Sequence, residues 1–192
     1  ADAETISIFE VSESGALHIV GDAEAGATVL SVAIHPSGRF AYAANSGEGS
    51  VSGYTVHSDG MLRPNGAFAT GTEPQQIRIH PSGKFAYVAD FRETFLMVYT
   101  ITDDGQLTAP FTVDVGTFPS GMAFSPTGGF LYVESDSDVS SYSVDSANGE
   151  LNLVNRVGTI GSPTDVVIAP SGRTAYVVGT AGGVYVHSID AT

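Results

Sequence analysis

The 192-residue chain has no cysteine, no tryptophan, one lysine (Lys84) and six arginines against 21 acidic side chains. Each shortage excludes something. Without cysteine there is no disulfide, no thiolate nucleophile and no Cys-ligated metal. Seven basic residues under a formal charge of −14 form no basic stripe, and a field of that sign repels nucleic acid and anionic lipid. No run approaches the roughly 18 apolar residues of a membrane span, and Ala1-Asp2-Ala3-Glu4 does not read as a signal peptide. The compartment stays unassigned. None of the five histidines has metal-ligand spacing with another, so no metal is expected, and no motif calls for a cofactor.

What is present is globular: 42% apolar residues, with ten Phe, eight Tyr and 23 Gly. The tetrapeptides HPSG at 35 and 80, SPTG at 125 and APSG at 169 recur at intervals of 45, 45 and 44 residues. Each sits between a short apolar run (SVAI, QIRI, GMAF, DVVI) and a strand-like segment (RFAYAAN, KFAYVAD, GFLYVES, RTAYVVG). Pro sets the φ of the first turn residue and Gly supplies the positive φ that ends the turn. A second tight turn recurs as SGAL (14–17), DGML (59–62), DGQL (104–107) and NGEL (148–151), the Asp/Asn-Gly hairpin signal. Seven of the eight tyrosines fall on two repeat positions, one before and one after the middle turn.

Each unit therefore reads as four antiparallel strands, a to d, with no helical periodicity anywhere. Strand b is apolar on both faces, as a sheet sandwiched between two others requires. The expected fold is all-β, a β-propeller of four-stranded antiparallel blades with a period of 45 residues. Strands c and d fall in 4–26, complete blades in 27–71, 72–116 and 117–161, and strands a to c in 162–192. At 45 residues per unit the chain holds about 4.3 blades. An incomplete ring, or one finished by a partner, is the expectation, with self-association through open blade edges. The alternative is closure within the chain, residues 4–26 completing the last blade, although strand c would then be present twice.

The segment PQQIRIHPSGKFAYV (74–88), followed by Asp104-Gly105-Gln106-Leu107, resembles the seven-bladed lactonase propellers, the family of bacterial 6-phosphogluconolactonase and the fungal carboxymuconate-lactonizing enzyme. The resemblance implies a site where the d-to-a and b-to-c connections lie, with His, Arg and Glu around a central channel acting on a lactone. The family's Arg-His pair falls on Gln75-Gln76, Ser120-Gly121 and Thr164-Asp165, and its Glu on Ser46, Phe91, Asp136 and Thr180. None of these keeps the family's residue. Arg78 matches the family's basic residue inside strand a.

Arg78 stands where the other units have Ala33, Ala123 and Val167. A guanidinium there points either to a ligand carboxylate, phosphate or lactone oxygen, or to an ion pair with Asp90 or Glu134. Arg78, Asp165 and Asp136 are the candidate catalytic residues, the two aspartates by elimination. Gln75, Gln76, Ser120, Thr164 and Asp90 are the candidate substrate-binding residues, facing either sugar hydroxyls or channel water. Ser135-Asp136-Ser137-Asp138 reads as a cation loop or as a solvated acidic turn, and lacks the other ligands of a defined Ca²⁺ loop. His35 and His80 belong to the a-to-b turn, on the opposite face, where an imidazole bonds the backbone. Phe91 and Phe118 lie off the repeat pattern on the site-side loops, either flooring a ligand patch or packing against further blades. Two functions follow: a lactone hydrolase acting on a small carbohydrate or lactone, or a non-catalytic propeller, either a module for binding or assembly or a fragment of a larger propeller that lacks its catalytic blades.

Overall fold

Every Pro-Ser/Thr-Gly turn closes in the same way. The amide of its glycine bonds back to the residue that opens the turn, Gly38 N to His35 O at 2.8 Å and likewise at Gly83, Gly128 and Gly172. All four glycines have φ between 69° and 77°, the left-handed region that side chains disfavour. The computed structural model describes residues 4–159, 161, 163–180 and 182–189. The first sheet pairs β1 (Thr5–Val11) with β2 (Leu17–Glu24). Three four-stranded antiparallel blades follow: β3 (Val29–Ile34) to β6 (Leu62–Ala69) through β4 (Phe40–Asn45) and β5 (Ser50–Val56); β7 (Pro74–Ile79) to β10 (Leu107–Asp114) through β8 (Phe85–Asp90) and β9 (Phe95–Ile101); and β11 (Met122–Phe124) to β14 (Leu151–Gly158) through β12 (Phe130–Ser135) and β13 (Asp138–Val144). A three-stranded sheet of β15 (Pro163–Ile168), β16 (Thr174–Gly179) and β17 (Val184–Ser188) ends the array. Among the described residues there is no helix, hence none long and apolar enough to cross a membrane.

The blades stack with β3, β7, β11 and β15 innermost and next to one another. Strands β4 and β8 are buried along their whole length because a blade covers each face. The cores are accordingly joints between blades. Phe40, Tyr42 and Val51 of the first full blade pack with Ile77, Tyr99 and Leu107 of the second. Phe85, Tyr87 and Leu96 of the second pack with Met122, Leu131 and Tyr142 of the third.

Polar clamps repeat at the same joints. Tyr42 donates to Gly105 O (3.0 Å) and Tyr87 to Gly149 O (2.8 Å), each reaching the Asp/Asn-Gly turn of the next blade. A Cβ on either glycine would strike Phe40 or Phe85, and both have φ near +80°. Burial pushes both phenols up, Tyr42 to about 12 with help from the Asp104 charge. In the other direction, Tyr54 donates to Glu24 O (2.8 Å) and Tyr99 to Ala69 O. At the far end His35 and His80 bond the backbone, as expected, and the backbone they bond is the next blade's: Nε2 lies 2.9 Å from Gly83 O and 3.0 Å from Gly128 O. A carbonyl only accepts, so each Nε2 carries the hydrogen while Nδ1 accepts from Ser37 or Ser82 N.

The two ends of the array lack a covering blade. Leu30, Val32 and Ile34 on β3, and Val167, Tyr176 and Val178 on β15 and β16, are exposed. Among the described residues the sheets β1–β2 and β15–β17 share no ladder. Tyr87→Phe is expected to lower the unfolding free energy by about 1–2 kcal/mol, because the buried Gly149 carbonyl loses its partner. Tyr176→Phe, at a position 42% exposed, should change it by less than about 0.5 kcal/mol. Urea unfolding of the two variants checks the contrast.

Candidate functional site

The inner strands carry a register shift near their entry end, between Val29 and Ser31, Pro74 and Gln76, and Pro163 and Asp165. Each such bulge places one extra residue against β4, β8 or β16 and re-aims the side chains beside it. In the third full blade the strand begins only at Met122, leaving Pro119-Ser120-Gly121 outside the ladder. Ser31, Gln76, Gly121 and Asp165 are equivalent positions of the repeat.

At the first two joints this position ties one blade to the next. Ser31 Oγ accepts from Ile77 N (3.3 Å), and Gln76 Oε1 accepts from Met122 N (2.5 Å). Gly121 has no side chain with which to repeat the bond. Its place is filled by the Glu134 carboxyl from β12, so close that a Cβ on Gly121 would collide with it and would also approach Asp165 Cα. Glu134 is 0% exposed, and neither carboxyl oxygen has a hydrogen-bond partner among the described residues. Burial, and secondarily the negative charge of Asp165, pushes its pKa up to about 8. At neutral pH the carboxyl is therefore mostly protonated.

Arg78 reaches the same place from the preceding blade. Its Nε donates to Met122 O (3.1 Å) and its Nη1 to Ile77 O (3.3 Å). The Met122 peptide is thus held at both ends, N–H by Gln76 and C=O by Arg78. Arg78 forms no ion pair with Asp90 or Glu134. Burial lowers its proton affinity and the charge of Asp165 partly restores it. Two of the guanidinium's five N–H donors are spent on carbonyls. Arg78, Glu134 and exposed Asp165 thus come from three successive blades: the Glu134 carboxyl and the Asp165 backbone lie against Gly121, and Arg78 bonds the carbonyl of the next residue, Met122.

The other candidates lie elsewhere. Asp136 is exposed on the β12–β13 turn, tied through its amide to Thr117 O (3.0 Å). Gln75 Nε2 points to Glu73 Oε1 (3.5 Å), Ser120 N bonds Glu134 O (3.3 Å) and Thr164 Oγ1 donates to Val178 O (3.3 Å). Asp90 is buried, and its oxygens accept from Glu73 N (2.9 Å) and Arg92 N (3.1 Å), which closes the loops of its own blade. Desolvation raises its pKa against the pull of those two amides. Asp138 accepts from Ser135 and Ser140 hydroxyls and pairs with Arg156 at 3.6 Å. Among the described residues no three His, Asp or Glu side chains gather as a metal set. Phe91 and Phe118 pack on each other, ring centroids 5.2 Å apart, with Phe118 held at φ +56°.

Glu134 was not among the residues singled out as site candidates. Its signal lies in the comparison of repeats: a charge where strand b has Ala44 and Ala89, opposite a glycine where strand a has Ser31 and Gln76.

The family described as Lactonase, 7-bladed beta-propeller matches residues 62–168, more than half of the chain. The chain belongs to this lactonase propeller family. Among solved structures, a putative 6-phosphogluconolactonase from Bacteroides uniformis superposes with a TM-score of 0.86 at 20% identity, covering 97% of this chain and 61% of that one. One from Bacteroides fragilis gives 0.84 at 22% identity, covering 97% and 61%. The periplasmic gluconolactonase of Pseudomonas aeruginosa gives 0.82 at 24%, covering 97% and 60%. At such identities the likeness is one of fold, and the lactonase-like chain spans about three-fifths of these structures. No curated protein matches its sequence.

The buried carboxyl makes a pH prediction. Below the ordinary value of 4.5 Glu134 is protonated whether the chain is folded or not. Between 4.5 and about 8 the unfolded chain releases the proton and the folded chain keeps it, so stability falls as pH rises, by up to about 1.4 kcal/mol per unit. Glu134→Gln should flatten that slope and be more stable than the parent near the upper end of the window, as read by urea unfolding across it.

Proposed function

We propose that this lactonase-family chain hydrolyses a sugar lactone at the Arg78–Asp165–Glu134 cluster. The observation that supports it is an incompletely used guanidinium and an exposed carboxylate, from the second and fourth inner strands, flanking the Glu134 carboxyl that fills the place at Gly121. Arg78 holds the lactone carbonyl and stabilises the oxyanion that forms when water adds to it. Asp165 takes the proton of the attacking water. The ring C–O bond then breaks, and the proton passes to the leaving ring oxygen to give the hydroxy acid. Glu134 touches no substrate and acts through its charge. Neutral, it leaves Asp165 as the local anion; ionised, it adds a second negative charge beside a developing oxyanion. The acceleration should accordingly fade above about pH 8, where Glu134 loses its proton.

Ring opening of glucono-1,5-lactone, corrected for the spontaneous rate, tests this. Arg78→Ala and Asp165→Asn should each reduce the enzymatic rate by about 100-fold or more, and Glu134→Gln should remove the alkaline fall. No acceleration by the parent chain, or none lost in the first two variants, refutes the proposal.

A second reading, assembly, is favoured by the exposed apolar faces of β3 and of β15–β16. Faces of this kind are covered within the array wherever a neighbouring blade exists, so a second copy of the chain is the proposed cover. Light scattering at micromolar concentration should show dimers or larger species, reduced in Val32→Lys and Val178→Lys. A concentration-independent monomer contradicts it.

A further inference from the structure

Every basic residue of the chain can be placed. Arg39, Lys84 and Arg173 each follow a Pro-Ser-Gly turn, and Arg63 follows an Asp-Gly-Met-Leu turn, so all four lie at the end of the blades remote from the cluster. Arg92 and Arg156 lie at the cluster's end, and both are engaged: Arg92 Nε is 2.6 Å from Glu73 Oε2, and Arg156 Nε is 3.6 Å from Asp138 Oδ1. Around Arg92 the balance is negative, with Glu73, Asp90 and Glu93 on the same loops; burial chiefly, and the Glu93 and Glu73 charges in small part, disfavour the Asp90 carboxylate. Arg78, the remaining cation, shares its surroundings with Asp165 and has two donors on carbonyls.

A phosphate monoester carries close to two negative charges at neutral pH and is recognised by free Arg or Lys, by helix N-termini or by backbone amide nests. Among the described residues there is no helix. The amides of Glu73 and Arg92, which would serve such a nest, already point at Asp90. What the cluster's end offers instead suits an uncharged polyol ring: the Ser120 and Thr164 hydroxyls and the Phe91–Phe118 aromatic pair.

Resting on the lactonase reading above, we infer that the substrate of this site is an unphosphorylated sugar lactone, and that the carboxylates around it select against the phosphorylated form. The discrimination is electrostatic. Arg92 is held from a phosphate by Glu73, and its release should weaken the selection.

Ring opening of glucono-1,5-lactone and of its 6-phosphate by the 192-residue chain is the test. The expected result is a kcat/KM at least tenfold higher for the neutral lactone. Glu73→Gln should then lower KM for the phosphorylated lactone several-fold, in a salt-sensitive way, with little change in KM for the neutral one. Equal or better turnover of the phosphorylated lactone by the parent overturns the inference and leaves the lactonase reading intact. A Glu73→Gln variant with no effect on the phosphorylated substrate also overturns it. Turnover of neither lactone refutes the lactonase reading, and the inference with it.

Discussion

Each blade of this chain is finished by the blade that follows it. A strand such as β4 or β8 carries an aromatic, a tyrosine hydroxyl and small residues on faces that no strand of its own sheet can cover. The successor supplies the cover, with a glycine turn shaped to the aromatic ring and a carbonyl placed for the hydroxyl. The same joint is pinned at its lower end by histidine on a glycine carbonyl and at its upper end by a side chain accepting from the next inner strand. Burial of apolar area drives the stacking, and the polar clamps fix its register, because a slipped blade would strand buried donors and acceptors.

The cluster arises where this joint departs from its rule. Between the third full blade and the last sheet, Ser125 replaces the pinning histidine and Gly121 replaces the accepting side chain. The space released at Gly121 admits Glu134, a buried carboxyl with no hydrogen-bond partner among the described residues. An unmet polar group of this kind weakens a joint, and a site that binds a polar ligand makes use of such weakness. The charge of Asp165 bears on both neighbours, partly restoring the proton affinity that burial takes from Arg78 and adding to the burial that raises Glu134. Under the proposed lactonase reading, local stability and chemistry are in opposition at this joint, and Arg78 is the cation that reading uses to hold the ligand.

The architecture was legible because repetition averages out local ambiguity. Four copies of one turn and four of another place the strands and leave no helical pattern, and among the described residues the structure has seventeen strands and no helix. Arg78 stands out in the same way, as an exception at a repeated position, whereas Asp165 is reached only by elimination. Glu134 could not be found from strand b alone, because FLYVES reads as a strand ending in a polar turn. Its position matters only once Gly121, thirteen residues earlier, is seen to lie against it, and that is a fact of pairing across β11 and β12. Asp90 is the reverse case: an aspartate at the site-side end of strand b looks available in the sequence, and in the structure its oxygens accept from two amides of its own blade's loops.

Native-state hydrogen exchange tests the successor-blade account most directly, because it reads the stability of each strand separately. Amides of β8 and β9, with a blade on both sides, should exchange only through global unfolding, β4 and β12 next, and β1, β2, β16 and β17 through local openings orders of magnitude more frequent. Uniform protection across the blades, or protection of β16–β17 equal to that of β8–β9, would contradict it.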